Sequence, residues 1–158
     1  MSRRSLINIA LFVLAALLGL LIWRLQPEAP PGLTDLRPEQ VYRIQITDRS
    51  GGEILLTRQN GAWMLGETSA DAERIEQLLG ICSTPSLKHF PAPQGDLQQF
   101  GLAPPAILLR LNDLELAFGS NDPLNGWRYV QITDRIHLIG DGFHHHLSAA
   151  SSEFIKAE

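Results

Sequence analysis

Histidines, a single cysteine and a few paired carboxylates are the side chains of this 158-residue chain with chemistry to offer. His144, His145 and His146 form a run with His137 and Asp141 nearby, and imidazole is a common ligand for zinc, copper and nickel. The spacing works against a closed site. On a strand only His144 and His146 share a face, on a helix neighbours point about 100° apart, and the HExxH frame is missing. The run therefore reads as surface or interface histidine, with a metal-binding protein or enzyme using His137, Asp141 and His144 to His146 as the competing reading. Cys82 could be a nucleophile beside His89, yet it extends the apolar face of an expected helix, and free cysteine packs mostly as a small hydrophobe. A lone cysteine forms no intramolecular disulfide, so core packing must hold the domain even in an oxidising compartment.

The remaining candidates are weaker. Gly119-Ser120-Asn121-Asp122-Pro123 lacks both the Gly-x-Ser-x-Gly frame and the calcium-loop carboxylate pattern, and reads as a turn. The pairs Glu73/Glu76 and Asp113/Glu115 lie where solvent exposure accounts for them. Asn125-Gly126 and Asp141-Gly142 are turn pairs, and no phosphate-binding glycine loop occurs. Trp63 reads as core, whereas Trp127, just after a turn, suits either core or recognition surface. These patterns contain no catalytic constellation and imply no cofactor, so the expectation is a non-enzyme. Its candidate interaction surface is Ser120, Asn121, Asp122, Trp127 and Arg128.

An apolar run from Leu6 to Trp23, interrupted by Asn8 and Gly19, meets the lower length for crossing a hydrocarbon core of about 30 Å. Arg3, Arg4 and the amino terminus precede it, which places residues 1–5 in the cytoplasm by the positive-inside asymmetry and whatever follows Arg24 on the other side. The run is long for a cleaved signal, and no small-x-small triplet follows it, so an uncleaved anchor is expected. Of 13 Lys and Arg, Arg3, Arg4 and Arg24 belong to the anchor, and the other 10 face 17 Asp and Glu, a net charge of −7. That balance argues against nucleic acid and against a polybasic grip on lipid.

Pro27, Pro30, Pro31 and Pro38 make residues 24–38 read as a stalk, able to span about 40 Å if fully extended. Residues 39–150 then form the expected domain and 151–158 a tail. Period-two alternation predicts strands over Val41–Thr47 and Glu53–Arg58, and Asn60-Gly61 leads into a third, Ala62–Leu65. Thr68 and Ser69 supply hydroxyl caps for a helix whose Ile75, Leu78, Leu79 and Cys82 recur at helical steps. Five prolines between Ser83 and Pro105 mark a connector, braced by a short helix with Asp96 as cap, Leu97 and Phe100 on one face, and Gly101 as stop. Strands resume at Ala106–Leu111, Leu114–Phe118, Trp127–Ile132 and Ile136–Ile139, and residues 142–154 are left as helix or frayed end. The fold class is α+β: antiparallel strand meanders in two similar halves with one main covering helix, behind a single N-terminal transmembrane helix. Gln45 to Arg49 recurs letter for letter as Gln131 to Arg135, whereas whole strand units would pair Val41–Ile46 with Ala106–Leu111. The two alignments are incompatible, and duplication stays open.

Several spacings together carry a resemblance. Gly61-x-Trp63-x-Leu65 precedes Ala70-Asp71 and Ile75-x-x-Leu78-Leu79. Asp96-Leu97-x-x-Phe100-Gly101-Leu102-x-x-Pro105 follows, and then Leu116-x-Phe118-Gly119 with Arg128-Tyr129-Val130. Over Leu33 to Leu147 the chain resembles the bacterial family known as domain of unknown function 4340. The resemblance implies a membrane-anchored, exported domain with no established catalytic residues, and some relatives are associated with auxiliary components of transporters of the ATP-binding cassette class. The functional expectation is thus a single-pass interaction or accessory module of the bacterial inner membrane, its domain periplasmic and its partner an envelope protein. A small-ligand sensor using a cleft between the two halves is a further alternative.

Overall fold

The computed structural model describes residues 3–25 and 30–156. Its first element is α1 (Arg3–Arg24), within which Ile7–Arg24 has a mean hydropathy of 2.2 and no residue buried. The rest is α+β and rests on one antiparallel sheet of nine strands in the order β4-β3-β2-β1-β6-β7-β8-β9-β5. The first meander is β1 (Arg43–Asp48), β2 (Glu53–Gln59), β3 (Ala62–Leu65) and the short β4 (Thr68–Ser69). The second is β6 (Ile107–Leu111), β7 (Leu114–Asn121), β8 (Arg128–Ile132) and β9 (Arg135–Ile139). They join edge to edge where β1 pairs antiparallel with β6, Ile46 opposite Leu109.

That junction decides between the two repeat alignments. β1 and β6 hold equivalent central positions, so the strand units correspond, while the identical pentapeptides end a first strand and a third strand and are not equivalent. The halves are also continuous across β1 and β6, so the sheet itself does not part between them.

Directly paired residues share a sheet face, and the face carrying Ile44, Ile46, Leu109, Leu111, Leu116 and Val130 is the core side, each of these residues at most 2% exposed. Helix α2 (Ala72–Leu79) covers it with Ile75, Leu78 and Leu79, and a following 3-10 turn adds Ile81 and Cys82. The helix starts one step later than the hydroxyls suggest. Thr68 and Ser69 are spent in β4, and the Asp71 carboxylate accepts from the Glu73 and Arg74 amides as the N-cap.

Three other segments depart from expectation. Pro31–Leu36 does not form a free stalk: Leu33 is buried, its amide donates to Thr84 O at 2.7 Å, and Ser86 N donates to Pro31 O at 2.9 Å. Residues 26–29 of the expected stalk lie outside the described residues. The connector contains a further strand, β5 (Lys88–Pro91), which pairs with β9 and ends the sheet, an edge position that tolerates proline. The tail is docked, with 3-10 turns at Asp141–Phe143 and Ser151–Phe154 around α3 (His144–Leu147), Phe154 fully buried and its carbonyl accepting from Asp71 N.

The brace is a 3-10 turn, Leu97–Phe100, closed by Gly101 at φ 68°. It lies on the far face of the second meander, where Phe100 meets Phe90 and Tyr129 at ring-centroid distances of 5.7 and 4.9 Å. Two glycines permit this approach. A Cβ on Gly119 would lie 2.1 Å from Phe100 O, and one on Gly101 2.7 Å from Ser120 N. The Phe-Gly-Leu and Phe-Gly motifs are therefore two sides of one contact.

Candidate functional site

The loop after β7 supplies the expected interaction surface, and its geometry divides those five residues into two groups. Ser120 and Asn121 are exposed and Trp127 is half-buried, with the Lys88 ammonium 5.6 Å from the indole centroid. Asp122 and Arg128 are interior instead. Arg128 Nη1 donates to Gly119 O at 2.7 Å, and its Nη2 and Nε donate to the two oxygens of Asp141, a fork that ties β8 to the turn before α3. Asp122 accepts from Asn125 N and Nδ2 at 3.0 and 2.8 Å, closing the loop on itself. The Arg128 hydrogen bond holds the Asp141 carboxyl below its ordinary range, and the Asn125 side chain does the same for Asp122. Both residues are thus framework, not contact surface. The residue missed by sequence reasoning is Leu124, 89% exposed at the loop tip. Its signal was an isolated leucine in a stretch of turn formers, with no periodic neighbour to give it a core face.

The histidines do not assemble as the competing reading requires. Asp141 is engaged by Arg128 and Asn121, while His137 Nδ1 lies 2.8 Å from Ser86 Oγ. The rings of His145 and His146 lie 3.8 Å apart, centroid to centroid, and are tilted by 42° on α3. Among the described residues no three His, Cys, Asp or Glu side chains form a group able to hold a metal ion. Burial, reinforced by His145 and Arg74, lowers the pKa of His146. Cys82 is buried, and that burial pushes its thiol up, away from the thiolate a nucleophile needs. His89 is drawn off toward His137, 5.7 Å away ring to ring. Glu73, Glu76, Asp113 and Glu115 are exposed, and Glu115 pairs with Arg110. Trp63 is core, 6% exposed.

Two of the concavities gather titratable side chains named above. An open groove of about 580 Å³ runs between the β1–β2 turn and residues 147–151, with Ile46, Ile54, Ile107 and Leu147 as its floor. Of the two carboxylates that line it, Asp48 is occupied by Ser50 Oγ and Gly52 N, which lower its pKa, and Glu53 accepts from Gln45 Nε2. A smaller cavity of about 240 Å³ lies under residues 31–35 at the β5–β9 edge, and gathers Asp35, Ser86, His89, Arg135 and His137. Sequence spacing could not show this group, because it needs the register that sets His89 opposite His137 across strands 48 residues apart.

What the fold defines is a class: an α+β domain on one antiparallel sheet, behind an N-terminal apolar helix. No family model matches the chain, and no curated protein or solved structure matches it.

Proposed function

We propose that the chain is a single-pass, membrane-tethered interaction module whose domain lies outside the cytoplasm and acts without catalysis, as an accessory to an envelope complex. One observation carries the reading: Ile7–Arg24 is apolar, helical and long enough to span a bilayer, and the domain buries none of it. A helix of that composition left in water would expose a continuous apolar surface, which lipid removes. The arginines before it favour a cytoplasmic amino terminus. The non-catalytic part is supported by where the reactive groups go, since Arg128, Asp141, Asp122 and Cys82 are taken up in packing and hydrogen bonds. The docking surface is read as Ser120, Asn121, Leu124 and Trp127, an exposed aliphatic tip beside an aromatic ring and a cation, the composition of a recognition patch. Kinship with the domain of unknown function 4340 family is part of the same reading, and its motifs meet in the Phe100–Gly119 contact.

Carbonate extraction of membranes, combined with protease digestion of intact and permeabilised spheroplasts, tests the tether. The chain is expected to stay in the pellet and to lose its domain to external protease. Release by carbonate, or protection of the domain in intact spheroplasts, would overturn the reading. A photo-crosslinking residue at Leu124 should capture one envelope protein that the same probe at Arg43 does not; identical products at both sites would remove the docking surface.

A further inference from the structure

The cavity under residues 31–35 combines charge, shape and position in a way that names a ligand. Its lining gathers Arg135 and His137 from β9, His89 from β5, Ser86 from the segment before β5, and Asp35 from the overlying chain. Pairing of β5 with β9 puts His89 and His137 on one face, and Ser86 Oγ holds His137 by its Nδ1. Burial first, then the neighbouring His89 and Arg135, keep the pKa of His137 below its ordinary range. Cationic groups therefore outnumber Asp35 once either ring is protonated, and the cavity is of a size for a small oxyanion.

Position selects the source of that anion. Pro31, which lines the cavity, comes six residues after Leu25 at the end of the apolar helix. Six residues reach at most about 20 Å. If α1 spans the bilayer, the cavity is held beside the headgroup layer. The domain as a whole is acidic, so a recess whose lining sets one arginine and two histidines against one carboxylate is a local exception that offers anionic lipid one way to approach.

We propose that this cavity binds the phosphate group of an anionic membrane lipid, with Arg135, His89 and His137 as its charge partners. The proposal rests on the tether reading. Asp35 opposes the anion, and binding strengthens as falling pH protonates His137, whose burial holds its pKa below the ordinary histidine value.

The test uses the full chain in phosphatidylcholine vesicles with or without phosphatidylglycerol, and measures diethylpyrocarbonate modification of each histidine by mass spectrometry. Phosphatidylglycerol is expected to slow modification of His89 and His137 several-fold relative to the exposed His144 and His145. Arg135→Gln should abolish that protection, Asp35→Asn should deepen it, and Arg43→Gln, which removes a charge elsewhere, should leave it intact. Equal loss in Arg43→Gln would reduce the effect to bulk charge and overturn the site. Absence of protection in every arm would also overturn it. Protection by inorganic phosphate in phosphatidylcholine vesicles, with none from phosphatidylglycerol, would overturn the lipid source in favour of a free oxyanion. A chain recovered outside the vesicles would overturn the tether and with it the lipid source, and the inorganic phosphate arm on that soluble chain would then decide whether the cavity takes oxyanions.

Discussion

The two meanders share strand order but differ in how they are covered. Both give one face to α2 and the core, yet the second is also covered over part of its far face by the 3-10 brace, with Phe100 packed on Phe90 and Tyr129. The first leaves Arg43, Gln45, Leu55 and Thr57 on a face with no such cover, and Tyr42 and Leu55 stand exposed. A sheet layered on both sides tolerates little change at its contact points, whereas a one-sided sheet can present side chains to solvent. The half with two layers also carries the candidate loop, the Arg128–Asp141 pair and the cavity that gathers His89, Arg135 and His137. Rigidity and candidate function coincide in one meander.

Six substitutions can break or sharpen that contrast. Gly119→Ala drives a methyl against the Phe100 carbonyl, backbone on backbone, and is expected to cost about 3 kcal/mol or more in denaturant unfolding. Gly52→Ala, in the hairpin turn of the first meander, has the Asp48 side chain as its nearest neighbour, which can move aside, so its loss should be far smaller. Equal losses would remove the asymmetry.

Arg128→Met removes the guanidinium donor from Gly119 O and leaves Asp141 with Asn121 alone, for an expected loss of about 2 kcal/mol. The same pair predicts a pH effect. The Asp141 carboxyl is depressed in the fold, so its contribution is present above its unfolded value, 3.8, and is lost as pH falls below that toward the folded value. Stability curves of the parent and Asp141→Asn should converge in that acid range and separate above it.

Phe100→Ala strips the brace of its central ring and should cost about 2 kcal/mol while loosening the loop after β7, seen as faster amide exchange at residues 120–127. Arg110→Ala removes an exposed pair with Glu115 from β6 and β7, on the open part of the far face that adjoins the first meander, and a change within about 0.5 kcal/mol is expected. A larger effect there would show that the open face is not spare surface.

Much of this architecture is legible in the residues. Alternation over Val41–Thr47 and Ala106–Leu111 specifies strands because a half-buried sheet imposes a period of two, and Ile75, Leu78 and Leu79 mark the covering helix for the equivalent reason. Gly101 as the stop of the brace follows from its left-handed conformation. The strand β5 escaped notice because it is short and ends in Pro91, so local pattern had too few positions to work with. The docked segment Pro31–Leu36 escaped because prolines describe a backbone without stating what it touches. The basic cavity escaped as well, since His89 and His137 become neighbours only through pairing across the sheet edge.

The chain by itself determined its apolar leading helix, its alternating strands and its covering helix, because those properties are periodic and local: each segment's burial is written in its own spacing. Tertiary structure alone decided that the meanders join through β1 and β6, that Arg128 and Asp122 turn inward, and that two histidines face one another beneath the strap. Those outcomes depend on which edges pair, and pairing is a free-energy choice made by the whole chain, for which no single segment holds the pattern.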